Sequence, residues 1–126
     1  MGKKILVVDD EPIIVRVLEA RLKANGYYVV IASDGQEALN KARTESLDLI
    51  ILDVMLPKID GFRVCHLLKS NAALKHIPVL MLMARAQDSD KYTGQECGAD
   101  AYLPKPFDPP VLLAKIKELL KESPTS

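Results

Sequence analysis

Short runs of large apolar residues alternate along the chain with longer stretches in which apolar residues recur every three or four positions. The runs are Lys4 to Val8, Tyr28 to Ala32, Leu49 to Leu52, Val79 to Met83 and Asp100 to Leu103. Their length and flanking turn residues predict five strands, and the unbroken apolar character of Leu49 to Leu52 predicts a central strand covered on both faces. Between them, Pro12 opens a helix carrying Ile14, Val17, Leu18 and Leu22 until Asn25 and Gly26 stop it. Ser33, Asp34 and Gly35 lead into a second helix with Ala38, Leu39 and Ala42 on one face, and Phe62, Cys65 and Leu68 mark a third. A fourth, interrupted by Gly94 and ended by Gly98, is weakly specified. Asp108 caps the last, with Pro109 in its first turn and Leu112, Leu113, Ile116, Leu119 and Leu120 facing inward.

Strands alternating with helices imply right-handed crossovers and a parallel sheet with helices on both faces, an α/β doubly wound fold. A strand order 2-1-3-4-5 places the ends of the first and third strands side by side at the point where the winding reverses, where open sheets bind ligands. Asp9 and Asp10 end the first strand, Asp53 ends the third, and Lys105 follows the fifth. Taken alone, Asp53 is either a crevice residue or a solvated strand end or helix cap. The other strand ends decide between these. Three carboxylates brought together repel one another, and a hard divalent cation with oxygen ligands relieves them; Mg²⁺, which keeps waters and takes phosphate oxygens, fits best. Lys105 adds a mobile positive charge able to pair with a carboxylate or a phosphoryl group.

With 126 residues and 48% hydrophobic content the chain builds one core without staples, residues 1–122 forming one domain and 123–126 a disordered polar tail. Seventeen basic residues balance seventeen acidic ones, so the overall charge points to protein or small-molecule partners and to neither nucleic acid nor membrane. Cys65 and Cys97 lie in no metal-ligand spacing and are expected to be packed helix residues of a cytoplasmic protein. No Gly-x-x-x-x-Gly-Lys-Ser/Thr or Gly-x-Gly-x-x-Gly stretch offers a nucleotide site. His66 and His76 fall on or after the third helix, away from the acidic rim, and are expected to have no catalytic part.

Three separated segments, Val7-Val-Asp-Asp10-Glu-Pro12, Asp53-Val-Met-Leu-Pro-Lys-Ile-Asp-Gly61 and Gly98-Ala-Asp-Ala-Tyr102-Leu-Pro-Lys105-Pro-Phe107, together resemble the receiver domain of two-component response regulators. The resemblance runs from Lys3 to about Leu120 and implies a flavodoxin-like (βα)5 fold. It implies that Asp53 accepts a phosphoryl group from the phosphohistidine of a sensor histidine kinase or phosphotransfer protein, forming an acyl phosphate. It further implies that Asp10 ligates Mg²⁺ directly, Asp9 mainly through water, and Met55 through its backbone carbonyl. Lys105 and the backbone N–H of Ala84 would meet phosphoryl oxygens, and Tyr102 would be the aromatic that rotates on activation. On this reading the chain is a phosphoacceptor rather than an enzyme, acting on a downstream protein or on its own effector domain.

Met83 departs from the family, which carries Thr or Ser at the end of the fourth strand. Methionine donates no hydrogen bond, and one donated to a charged group is worth roughly 1.5 to 3 kcal/mol. Asp53 is still expected to accept phosphate, but coupling to Tyr102 is expected to be weak or altered. Met83 also serves equally as plain core filling. Met55 and Arg85 flank the crevice where they would tune phosphoryl loss. Two other functions compete: a pseudo-receiver that docks a partner without phosphorylation, supported by Met83, and a Mg²⁺-dependent phosphohydrolase, disfavoured because Met55 stands where a water-activating acid is needed.

Overall fold

The computed structural model describes residues 2–83 and 97–121. Five strands, β1 (Lys4–Val8), β2 (Tyr28–Ala32), β3 (Leu49–Asp53), β4 (Val79–Met83) and β5 (Ala101–Pro104), form one parallel sheet in the order 2-1-3-4-5. The helices among the described residues are α1 (Pro12–Ala24), α2 (Gly35–Thr44), α3 (Gly61–Lys69) and α4 (Pro109–Leu120). The fourth helix expected from the sequence, Ala84, Arg85 and the tail lie outside the described residues. The doubly wound parallel sheet expected from the pattern, and the flavodoxin-like strand order that the resemblance implies, are observed.

Alternation along the strands sorts the core into two layers, because successive strand side chains point to opposite faces. Leu6, Val8, Ile50, Leu52, Val79, Met81 and Met83 pack with Ala38, Leu39 and Ala42 of α2 and Phe62, Cys65 and Leu68 of α3. Ile5, Val7, Leu49, Ile51, Leu80 and Leu82 pack on the other side with Leu18 and Leu22 of α1 and Leu112 and Ile116 of α4. All five residues of β3 and all five of β4 are buried. Each fully buried Leu or Ile contributes about 1.5 to 3 kcal/mol, so the centre of the sheet is the part of the molecule least free to move.

The N-terminal rim of the sheet is closed by aspartates that exchange main-chain bonds with their neighbours. Lys4 N–H donates to Asp48 Oδ2 at 2.8 Å, and Asp48 N–H donates to the Lys4 carbonyl at 2.8 Å. Across the sheet, Val79 N–H donates to Asp100 Oδ2 at 2.8 Å, Asp100 N–H returns a bond to Val79, and Lys69 Nζ lies 2.7 Å from the same carboxylate. Asp100 is thereby spent on this rim, which is why β5 begins one residue later than the apolar pattern predicts.

Two other expectations are corrected. Val17 does not join the buried stripe of α1; it is exposed together with Ile13, and only Leu18 and Leu22 are fully inside, with Ile14 half-buried. Residues 14, 18 and 22 stand one above another at four-residue spacing, while 13 and 17 form a second ridge turned away from the sheet. Asp108 occupies the cap position of α4 but makes no side-chain cap bond. Pro109 and Pro110 remove the N–H groups of the first two helical positions, leaving the cap little to accept.

The β3–α3 connection is held against the sheet by close packing at Gly61. Its N–H donates to the Val54 carbonyl at 2.8 Å, and a Cβ there would stand 2.1 Å from the Asp53 carbonyl oxygen and 2.8 Å from Val54 Cα. Both obstacles are backbone, so a side chain fits only if the segment carrying Asp53 shifts. Gly61→Ala is therefore expected to lower stability by about 1 to 3 kcal/mol in urea denaturation. A cost below about 0.5 kcal/mol, the range of an ordinary surface substitution, would show that the connection relaxes freely.

Candidate functional site

Pairing registers bring the chemistry-bearing residues to one end of the sheet. Val8 pairs with both Ala32 and Leu52, so Asp9 and Asp53 are neighbouring continuations of β1 and β3, and Lys105 follows the Met83–Pro104 pair that ends β4 and β5. Parity assigns the face: Asp9 continues the side of Ile5 and Val7, and Asp53 that of Leu49 and Ile51. Main-chain bonds hold the tips in place, with Asp9 N–H donating to Ala32, Val54 N–H to Leu82 and Lys105 N–H to Met83. The Lys105–Pro106 peptide that follows is cis.

Asp9 and Asp53 are the buried charged residues among the described ones, 1% and 3% exposed. Lys105, itself largely covered, places Nζ 2.9 Å from Asp9 Oδ2 and 3.2 Å from Asp53 Oδ2, with Glu11 Oε1 at 3.4 Å on the solvent side. The second oxygens are also engaged: Asp9 Oδ1 accepts the Glu11 N–H at 2.9 Å and Asp53 Oδ1 accepts the Met55 N–H at 3.2 Å. Asp10 stands exposed beside this pair, and one carboxylate oxygen from each of Asp9, Asp10 and Asp53 lies within 4.8 Å of the others.

Burial pushes the Asp53 carboxyl up from 3.8 to about 6, and the negative Asp9 pushes the same way; the Lys105 charge and hydrogen bond and the Met55 N–H only partly oppose them. For Lys105 burial works to lower the ammonium pKa, but the hydrogen bond to Asp9 and the charges of Asp53 and Asp9 outweigh it and leave it raised. One ammonium therefore serves two buried carboxylates incompletely. The arrangement has a standing deficit of positive charge beside an oxygen-only donor set, which suits a hard divalent cation.

The β3–α3 loop that carries Met55 rests on the start of α2. Lys58, in the left-handed region at φ 69°, lies 3.4 Å from Asp34 Oδ2, and a Cβ on Gly35 would meet the Ile59 carbonyl at 2.5 Å. Asp34 caps α2 by accepting the Glu37 N–H, which holds its carboxyl below the usual range, and Glu37 reaches back to the Ser33 N–H. Asp60 caps α3 through the Arg63 N–H.

The family model of the response regulator receiver domain matches residues 5–117. The chain belongs to this family. It is 52% identical over 123 residues to the alkaline phosphatase synthesis transcriptional regulatory protein PhoP of Bacillus subtilis, covering 98% of this chain and 50% of that protein. Among solved structures it resembles the receiver domain of sensor histidine kinase PA1611 from Pseudomonas aeruginosa, described with a magnesium ion coordinated in the active site cleft, at TM-score 0.89 and 30% identity, covering 97% of this chain and all of that one. Chemotaxis response regulator CheY4 of Vibrio cholerae superposes at TM-score 0.88 with 35% identity, over 94% and 99% of the two chains. The receiver spans about half the length of the curated relatives it matches.

Of the residues singled out in the sequence, the structure brings Asp9, Asp10, Asp53, Met55 and Lys105 together. Met83 is buried at the tip of β4 on the opposite face of the sheet, in the layer that Tyr102 packs against. His66 and His76 are exposed on the α3 side, and no helix among the described residues is long and apolar enough to cross a membrane. Sequence reasoning gave Glu11 no part, although it both pins Asp9 through its N–H and approaches Lys105. Its signal was its place directly after the acidic pair.

The raised Asp53 carboxyl predicts a pH dependence of the metal-free protein. Because the folded value exceeds the unfolded 3.8, the folded state holds more protons between pH about 4 and about 6, and stability falls as pH rises through that window. Above it the penalty is on the order of 2 to 3 kcal/mol. Asp53→Asn is expected to unfold at higher temperature than the parent at pH 7, the gap closing below pH about 4. Calorimetry in chelator checks this, and a variant equally or less stable at pH 7 contradicts it.

Proposed function

We propose that this receiver accepts a phosphoryl group on Asp53 Oδ2 or Oδ1 from a phosphohistidine donor, with Mg²⁺ held by its acidic cluster, and passes the change on by protein contact. The observation carrying this reading is the buried Asp53 carboxylate, shared with Lys105 at 3.2 Å and joined by two further carboxylates within 4.8 Å. When bound, Mg²⁺ would supply the positive charge that offsets phosphoryl and carboxylate oxygens. Asp10, exposed and without the bonds that occupy Asp9, is placed to ligate directly. Asp9, whose two oxygens accept Glu11 N–H and Lys105, acts mainly through water. The Met55 carbonyl would complete the protein ligands.

The chain's own residues then account for the transfer. Asp53 is the nucleophile: its oxygen forms a bond to phosphorus in line with the breaking P–N bond, and the histidine leaves. Lys105 swings from the Asp53 carboxylate to a phosphoryl oxygen while keeping Asp9, so the salt bridge present before transfer becomes one to the phosphoryl group. The Ala84 N–H is assigned the remaining oxygen. The chain is an acceptor that loses its own acyl phosphate by hydrolysis.

The pseudo-receiver reading rests on Met83, 5% exposed and donating no hydrogen bond where a hydroxyl would serve. We place Met83 in the switch and not in the chemistry, since it belongs to the α2–α3 layer that Tyr102 packs against and not to the face of Asp53. The partners are a histidine kinase or phosphotransfer protein upstream and a downstream protein or effector domain.

Acetyl phosphate with Mg²⁺ should add one phosphoryl group to Asp53, detected by intact mass. Asp53→Asn and chelator should each abolish the gain, and Lys105→Ala should slow it by about a hundredfold. A folded chain that gains no mass would favour the pseudo-receiver. Replacing Met83 by Thr should enlarge the phosphorylation-dependent change at Tyr102, read by nuclear magnetic resonance of its ring; an unchanged response would remove Met83 from the switch.

A further inference from the structure

On the face of the sheet away from the acidic site, two thiols and a phenol form a chain of contacts that the phosphoryl chemistry does not use. Cys65 of α3 and Cys97 are both buried, 0% and 4% exposed. Cys65 Sγ donates to the Cys97 carbonyl at 3.4 Å, and Cys97 Sγ lies 3.3 Å from the Tyr102 hydroxyl. The residues are 32 and 5 apart in sequence, so the fold alone assembles them. Tyr102 is on β5, three residues before Lys105.

We propose that Cys65 and Cys97 are a peroxide-oxidisable pair whose intramolecular disulfide ties α3 to the segment leading into β5 and removes Cys97 as the partner of Tyr102. The two thiols are unequal. The neighbouring Cys65 thiol and the Tyr102 hydroxyl 3.3 Å away favour the Cys97 thiolate, whereas the contact with Cys97 and then burial push the Cys65 thiol up. Burial and the same Cys97 contact raise the Tyr102 phenol, which stays protonated as a donor. Cys97, the less buried of the two and the one beside the Tyr102 hydroxyl, is attacked first and Cys65 resolves it.

The electrons balance in two steps. The Cys97 thiolate displaces hydroxide from the peroxide O–O bond, giving a sulfenic acid and, after protonation, one water. The Cys65 sulfur then attacks the Cys97 sulfur, the S–OH bond breaks, and a second water leaves with the thiol proton. Two thiols lose two electrons and the peroxide gains them. The two side chains are already neighbours, with Cys65 Sγ 3.4 Å from the Cys97 carbonyl.

The test uses the unmodified chain treated with hydrogen peroxide at neutral pH, denatured in iodoacetamide without reductant, and analysed by mass spectrometry. The expected product is a monomer lighter by about 2 Da, with the Cys65 and Cys97 peptides joined and separated again by dithiothreitol. Cys65→Ala should leave a sulfenic acid on Cys97 that dimedone traps. Tyr102→Phe, which removes one hydrogen bond to the thiolate, should slow the oxidation roughly tenfold. Free alkylation of both cysteines after treatment, disulfides only between molecules, or a dimedone adduct on Cys65 in Cys97→Ala at the parental rate would overturn the proposal.

Discussion

One lysine shared between two buried carboxylates is the constraint on which the rest of this receiver turns. Lys105 reaches Asp9 at 2.9 Å and Asp53 at 3.2 Å from the end of an edge strand, and its reach fixes how β5 must sit relative to β1 and β3. Removing one member of a buried ionic group commonly costs 3 to 5 kcal/mol because the remaining charge is stranded. Here one cation faces two buried anions, with Asp10 and Glu11 adding further negative charge at the mouth. The site is left short of positive charge, and that shortage suits a divalent cation.

The two rims of the sheet use aspartate in opposite ways. At the N-terminal rim Asp48 and Asp100 are consumed by neighbouring backbone N–H groups, and Lys69 neutralises the second. At the C-terminal rim Asp9 and Asp53 are buried with fewer donors than their oxygens can accept. The same residue type is thus structural at one end and reactive at the other, and the difference is the number of main-chain donors within reach. Gly61, packed on the Asp53 carbonyl, keeps the reactive end from relaxing.

Much of this was legible from the residues alone. The strand runs, the strand order and the convergence of Asp9, Asp10, Asp53 and Lys105 follow from alternation and from the winding of parallel sheets, and the structure shows them. What escaped was decided by orientation and not by composition. Val17 has the right chemistry for a buried stripe but stands one ridge away from it, and Asp108 is a good cap residue facing two prolines that have no N–H to give. Cys65, Cys97 and Tyr102 carry no spacing signal because α3 and β5 come together only in three dimensions. Glu11 was visible as a motif residue, but its bond to Asp9 depends on the turn before Pro12.

The face opposite the acidic site carries a separate set of polar contacts inside an otherwise apolar layer. Met83, Tyr102, Cys65 and Cys97 all belong to the α2–α3 side of the sheet, so a change at the tip of β4 or β5 has neighbours there through which to act. The central claim, that the tips of β1, β3 and β5 form a single cation-holding cup, is tested most directly by titrating Mg²⁺ into the isotopically labelled protein and following backbone amides. Asp10, Glu11, Val54, Met55 and Lys105 are expected to shift together along one saturable curve; shifts scattered over the surface, or separate curves for the three strand tips, would rule out a single cup.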